Sequence, residues 1–269
     1  MNNSVLSSKY LGEVYSTGNG IFCVSPKDNY VTSTLLEENE YGKDELERIF
    51  RLTTSESSVL MLGSHIGTLA IPLSKKIKHL FAVEANPDSF KLFQLNLLLN
   101  DCKNVSAFNF AANDENGELE FVMNTVNSGG SKRLPKYRDR IYFYDDPEIR
   151  TVPSARMDDL FSDFQFDLVF MDIEGSEYFA MNGMPNILSR CNTLITEFLP
   201  HHLDRVGGIT VNNFLEPLKD FKTMFIPSLN LLVQSDAFEV ILHNMCTEGV
   251  GDDGIIFYKN KMISSSANE

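Results

Sequence analysis

The sequence predicts an α/β protein built on a mostly parallel sheet with helices on both faces. Three observations predict it. Short apolar runs alternate with a turn and then a longer helical pattern, the arrangement that produces parallel strands joined by crossover helices. A turn containing two glycines follows the first run, and an acid ends the second. A later run, equally apolar, opens into a cluster of carboxylates. With 269 residues, 43% of them hydrophobic and 22% charged, the chain can bury a substantial core. The expected organisation is one main domain at about 51–260 with a loop inserted at about 124–150. An extension with a packing helix at 1–50 precedes it, and a polar tail at 261–269 follows.

Ser58 to Leu62 reads as the first buried strand, and the stretch from Leu69 to Ile77 as a helix that Pro72 kinks or delays. His79 to Glu84 is the second strand. Asn86-Pro87-Asp88 then starts a helix, with Asn as N-cap, Pro at the first helical position and an acid in the first turn. Phe90, Phe93 and Leu97 follow at helical spacing and should face the sheet. Val105 to Ala111 makes a third strand, and Asn116-Gly117 is a hairpin signal before the alternating Glu118-Leu119-Glu120-Phe121-Val122. Periodicity fades from Asn124 to Ile149. Regular structure resumes with the strand Asp167 to Ile173, a helix from Glu177 to Leu188 and a fifth strand from Asn192 to Leu199. Thr223 to Pro227, Phe238 to His243 and Gly254 to Lys259 are read as further strands, the last two antiparallel at one side of the sheet.

The formal charge is −14 and the sequence pI about 4.8, a field that repels phosphate backbones and anionic lipid. Nucleic acid is therefore not expected as a partner. No apolar run approaches the ~20 residues that span a bilayer, and the first fifteen residues are too polar for a signal-peptide core. A cytoplasmic location is expected. Cys23, Cys102, Cys191 and Cys246 lie far apart and form no chelating spacing, so core or free thiols are expected. The sequence is equally compatible with a monomer and a homo-oligomer.

Gly63 and Gly67 bound a strand-to-helix turn that lets a ligand approach the backbone, while the helix N-terminus offers unpaired amides. Glu84, 17 residues after Gly67, can accept both ribose hydroxyls of an adenosine cofactor. NAD, FAD and S-adenosylmethionine (SAM) all satisfy that pair. Phe170-Met171-Asp172-Ile173-Glu174-Gly175-Ser176-Glu177 sets acids just past the end of a central strand, where open α/β sheets bind ligands. These acids either cap the next helix or perform acid–base work.

Taken in order, Val59 to Gly67, Ala82-Val83-Glu84-Ala85-Asn86-Pro87, Asn109-Phe110-Ala111-Ala112, Asn127-Ser128-Gly129-Gly130-Ser131 and Met171 to Glu177 make the chain from about Asn39 to Lys259 resemble the FkbM family of SAM-dependent methyltransferases. The resemblance implies the class I SAM-dependent methyltransferase, Rossmann-like fold: a seven-stranded, mostly parallel sheet with one antiparallel strand. It implies methyl transfer to an oxygen of a sugar, glycan or natural product, with SAM as cofactor. Gly63, Ser64, His65 and Gly67 would pass beneath its methionine part, Glu84 would hold the ribose and Ala111 and Ala112 would border the adenine, with Ala85 and Asn109 also expected at the cofactor. The chain departs from the family at Met61, where the pattern has an acid, and at His65, where it has Asn.

Methyl transfer needs donor and acceptor held in line and a base for the hydroxyl proton. Asp172 and Glu174 are the expected catalytic carboxylates, with Asp172 also beside the cofactor. His201 is a third catalytic candidate, set against the usual surface role of adjacent loop histidines. Glu197 and His202 are expected to bind the acceptor, together with Asn127, Ser128, Ser131 and Arg133. Asp172, Glu174, Glu177 and the histidines could alternatively hold a divalent metal, but their spacing matches no chelating motif and no metal is expected. Lys132, Arg133, Lys136, Arg138 and Arg140 form either a solvated loop balanced by Asp145, Asp146 and Glu148, or a lid for an anionic acceptor. The competing functions are a NAD-dependent oxidoreductase, whose fingerprint wants a third glycine, and a noncatalytic SAM-fold binding protein.

Overall fold

The structure, a computed structural model, describes residues 11–260. The first ten residues of the expected extension and the whole of the tail at 261–269 lie outside the described residues. The chain opens on an antiparallel hairpin, β1 (Glu13–Thr17) and β2 (Gly20–Val24), and two helices, α1 (Val31–Glu37) and α2 (Lys43–Leu52). Phe22, Val24, Val31, Leu35 and Ile49 from this segment are buried in one hydrophobic cluster with Val59, Met61, Leu168 and Phe170.

Next come β3 (Ser58–Leu62), α3 (Ala70–Ser74), β4 (His79–Val83), α4 (Pro87–Leu99) and β5 (Val105–Phe108). The Asn86 side chain caps α4 by accepting from the amides of Asp88 at 2.9 Å and Ser89 at 3.3 Å. A second, small sheet follows, made of β6 (Ala111–Ala112), β7 (Gly117–Met123), β8 (Lys132–Arg133) and β9 (Glu148–Ala155) in the order β6-β9-β7-β8. The chain then returns through α5 (Met157–Phe161), β10 (Leu168–Met171), α6 (Glu177–Asn182), α7 (Pro185–Arg190) and β11 (Thr193–Phe198). It finishes with α8 (Val211–Leu215), β12 (Thr223–Ile226), β13 (Leu231–Gln234), α9 (Phe238–Glu248) and β14 (Asp252–Tyr258).

The main sheet runs β13-β12-β14-β11-β10-β3-β4-β5. Strands β5, β4, β3, β10 and β11 pair in parallel, and β14 runs antiparallel to both β11 and β12. This is the class I methyltransferase sheet with an eighth, antiparallel strand, β13, added at the edge. Because side chains alternate along a strand, Leu60, Leu62, Val169 and Met171 enter one buried layer, and Val59, Met61, Leu168 and Phe170 the other. Both faces of the central strands are covered.

Several expectations are corrected. Phe238 to His243 is not a strand but the first half of α9, with Phe238, Leu242 and Met245 buried at helical spacing and Gly249 closing it at φ 68°. The third strand on that side is β13. The expected helix Glu177 to Leu188 is two helices, broken where a Cβ on Gly183 would stand 2.0 Å from the Asn113 carbonyl oxygen, and Pro185 starts the second. Val105 to Ala111 stops pairing with β4 at Phe108, and Ala111 and Ala112 join the small sheet instead. Asn116-Gly117 makes no hairpin, because β9 from far along the chain lies between β6 and β7. The aperiodic segment from Asn124 to Ile149 contains β8 and the start of β9, whose partners are too distant in sequence for a local pattern to reveal.

Candidate functional site

The crossovers leave β3 towards β4 on one side and reach β10 on the other, so β3 and β10 flank the switch point at which open α/β sheets form a crevice. A cavity of about 290 Å³ lies there, lined by the turn after β3, the ends of β4 and β10, the small sheet and the loop within it, the N-terminal segment, and single residues of β11 and β14.

The turn after β3 needs its glycine. Gly63 has φ 88°, and a Cβ on it would meet the Asp172 carbonyl oxygen at 1.8 Å. The turn therefore touches the end of β10 directly. Ser64 and His65 line the cavity, and His65 holds φ 49°, a left-handed conformation that costs a non-glycine residue. Its backbone amide donates to Glu84 Oε2 at 2.7 Å, and the Asn86 amide donates to Oε1 at 2.7 Å. Burial pushes the Glu84 carboxyl up to about 7 against these amides. Ala85, Ala111 and Ala112 complete this wall.

Across the cavity stand Asp172, Glu174 and Glu197, each with one carboxylate oxygen within 4.8 Å of those of the other two. Glu174 is the other cavity residue with a strained backbone, at φ 57°. Burial and then the neighbouring Glu174 charge raise Asp172 well above the usual carboxylate range. Burial and the Asp172 and Glu174 charges do the same to Glu197. Glu177, behind the cluster, accepts from the amides of Ile173 and Gly175 and is pushed by burial to about 7.

A buried chain of contacts backs these acids. Lys132 Nζ donates to Glu174 Oε2 at 2.6 Å and lies 3.4 Å from His202 Nε2, while His202 Nδ1 is 3.0 Å from Glu197 Oε2. Burial and then the Lys132 charge lower the His202 imidazole to about 2, so it stays neutral. With Lys132 donating to Nε2, the His202 Nδ1–H donates to Glu197.

Five expected site residues do not line the cavity. Gly67 packs under α4, where a Cβ would meet the Phe93 ring at 2.6 Å. Asn109 braces the end of β4 by donating to the carbonyls of Glu84 at 2.7 Å and Ala85 at 3.3 Å. Arg133 stacks 3.4 Å above the centre of the Phe179 ring, and burial lowers its guanidinium to about 10. His201 is exposed beside the Tyr142 hydroxyl, because the turn after β11 directs its successor inward instead. His202 lies behind Glu197 and orients it. Of the basic segment, Lys132 reaches the acids, Lys136 lies by the Gly208 carbonyl and Arg138 by the Phe143 ring. The remaining expected residues, Asn127, Ser128 and Ser131 among them, do line the cavity.

The N-terminal segment supplies what the sequence reading missed: Tyr30, Tyr41 and Glu45 line the cavity, as does Asp253 from β14. Asn19 holds the segment there, donating to the Tyr41 carbonyl at 2.8 Å and the Thr68 carbonyl at 2.9 Å and accepting from the Tyr41 amide at 2.8 Å. Burial pushes Glu45 up to about 7. No local pattern marks these residues. Only Asp28-Asn29-Tyr30, an acid just before a helical run, carried the signature of a cap.

A family model described as the methyltransferase FkbM domain matches residues 62–235. Similar solved structures include a methyltransferase FkbM from Methylobacillus flagellatus KT, 15% identical over 76% of this chain and 44% of that one, with TM-score 0.46. TYW2 from M. jannaschii in complex with AdoMet is 15% identical over 71% and 65%, with TM-score 0.40. An rRNA methylase from Streptococcus thermophilus is 10% identical over 81% and 95%, with TM-score 0.46. This chain spans less than half the length of the Methylobacillus structure. No curated protein matches the sequence.

Proposed function

Because the chain belongs to the family of FkbM-domain methyltransferases, and SAM is therefore its cofactor, we propose that it methylates a hydroxyl oxygen of a sugar, glycan or natural product. The residues present fit SAM. Ser64 Oγ, in the turn lining the cavity, is buried without a hydrogen-bond partner among the described residues, and Glu84 offers the remaining lone pairs of both oxygens to ribose hydroxyls. Bound SAM supplies an electrophilic methyl group.

The single observation that carries the hydroxyl reading is Asp172. Its carboxylate lines the cavity, receives no hydrogen bond among the described residues, and has its affinity for a proton raised by burial and by Glu174. A carboxylate in that state takes the proton of an alcohol as the carbon–oxygen bond forms, an assistance worth typically ~10² to 10⁴-fold. Glu174, held by Lys132, and Glu197, held by His202, orient the acceptor beside it.

Acceptor charge follows from the wall. Glu45, Asp172, Glu174, Glu197 and Asp253 line the cavity, and no lysine or arginine does among the described residues. This supports a neutral, polyhydroxylated acceptor over one carrying phosphate or carboxylate, and over nucleic acid. The free thiols of all four cysteines support a cytoplasmic setting. No helix among the described residues is long and apolar enough to cross a membrane. The test is release of S-adenosylhomocysteine (SAH) from SAM on incubation with a panel of neutral sugars, acidic sugars, amines and RNA. Turnover with neutral hydroxyl acceptors is expected; turnover with amines or RNA alone would overturn the reading.

A further inference from the structure

Three residues far apart in sequence meet at the mouth of the cofactor turn. Ser128 donates its hydroxyl proton to Asp28 Oδ2, and its Oγ lies 2.7 Å from His65 Nε2. The order is Asp–Ser–His, so the serine proton is committed to the acid and the set is no hydrolytic triad. Asp28 is buried, 4% exposed, and its oxygens also accept from the amides of Ser128 at 2.9 Å, Tyr30 at 3.0 Å and Val31 at 2.8 Å. An oxygen so occupied can only accept. Ser128 must therefore spend its one proton on Asp28, and Ser128 Oγ can only accept from His65. That places the imidazole proton on Nε2 and leaves Nδ1 with a lone pair and no partner among the described residues.

We propose that Asp28 and Ser128 are positioning residues that fix His65 as the Nε2–H tautomer, so that Nδ1 accepts a hydrogen bond from the α-ammonium of bound SAM. The ammonium is the donor selected by the surroundings. Gly63 of the His65 turn packs against the Asp172 backbone carbonyl, and Asp172 and Glu45 both line the cavity and act on the Tyr41 phenol, so acidic groups whose raised proton affinity a cation relieves stand at this end. Glu84, at the end of β4, is left for the ribose. The chain lacks an acid at position 61, where Met61 is fully buried, and the imidazole supplies an acceptor from the same turn. The N-terminal segment thus belongs to the cofactor site.

The proposal rests on the SAM site and is separable from it. In full-length protein labelled at histidine nitrogen, long-range proton–nitrogen spectra should report His65 with Nε2 protonated and Nδ1 bare. SAH should shift Nδ1, and an SAH analogue lacking the α-amino group should not. By calorimetry, S128A should weaken SAH about tenfold and leave the desamino analogue unchanged. A proton on Nδ1 in the wild-type spectrum, or equal losses for both ligands, would overturn the proposal while leaving the SAM site standing. Absence of binding by either ligand to the wild-type protein would overturn both.

Discussion

The Lys132 ammonium stands 2.6 Å from Glu174 Oε2, with the two side chains 6% and 21% exposed, so a cation from the small sheet is fastened to an acid in the turn that follows β10 of the main one. Removing one partner of a buried pair costs more than the pair contributes, because the other charge stays behind in low dielectric. Lys132→Met should destabilise the protein by about 3 kcal/mol, at the low end of the usual range because Glu174 keeps contact with the cavity. Adding Glu174→Gln should recover part of the loss. Denaturant titration of the two single variants and the double variant reads both quantities, and strictly additive losses would show that the pair is uncoupled.

Asp172→Asn keeps the shape of the side chain and removes its ability to take a proton. The expected result is a fall in kcat of about 10² to 10⁴-fold, read as SAH release at saturating SAM. An unchanged kcat would assign proton removal to another group.

Stability should fall as pH rises towards neutrality. Glu84 and Glu177 ordinarily titrate near 4.5 and are pushed to about 7 by burial. A carboxyl with a raised folded-state value binds its proton more tightly when folded, so its contribution is fully present below 4.5 and is lost as pH rises through about 7. Thermal melting of the ligand-free protein should be highest near pH ~5 and decline by pH ~8. Glu177→Gln, which retains a carbonyl for the Ile173 and Gly175 amides, should flatten that slope.

Gly63→Ala should abolish SAH binding in calorimetry. The added methyl meets the Asp172 carbonyl oxygen at 1.8 Å on a backbone at φ 88°, so the turn must pull away from β10. Gly117→Ala is the control: its φ is also positive at 151°, but nothing stands within 4 Å of the added atom.

What the sequence made legible was local or periodic. The Asn86 cap, the apolar runs of β3, β4, β10 and β11, and the acids after β10 all announce themselves through neighbours a few residues away. The wall formed by Ser64, Glu84, Asp172 and Glu174 was legible for that reason. The insertion was not, because β7 finds β9 some thirty residues later and β8 is too short for a pattern. Lys132 illustrates the consequence: among basic neighbours it reads as part of a solvated loop or of a lid, and only the pairing of β8 with β7 buries it against Glu174. Tyr41 and Glu45 were missed because the segment that carries them is held against the turn by Asn19, which bonds the Tyr41 backbone and reaches Thr68 49 positions away. Leu231 to Gln234 was left without an element and is a strand, and Phe238 to His243 was read as a strand and is helix, because short apolar runs fit both periods.

Strand β14, last of the described strands along the chain, is inserted between β11 and β12 rather than added at an edge. During synthesis both neighbours therefore wait with open backbone donors and acceptors, each a template for another chain's strand. The interval between translating Ile226 and releasing Tyr258 is when this protein is most exposed to aggregation, and chaperone demand should concentrate there. A lesion in β14 would thus reduce the yield of folded enzyme even where it leaves every cofactor contact intact.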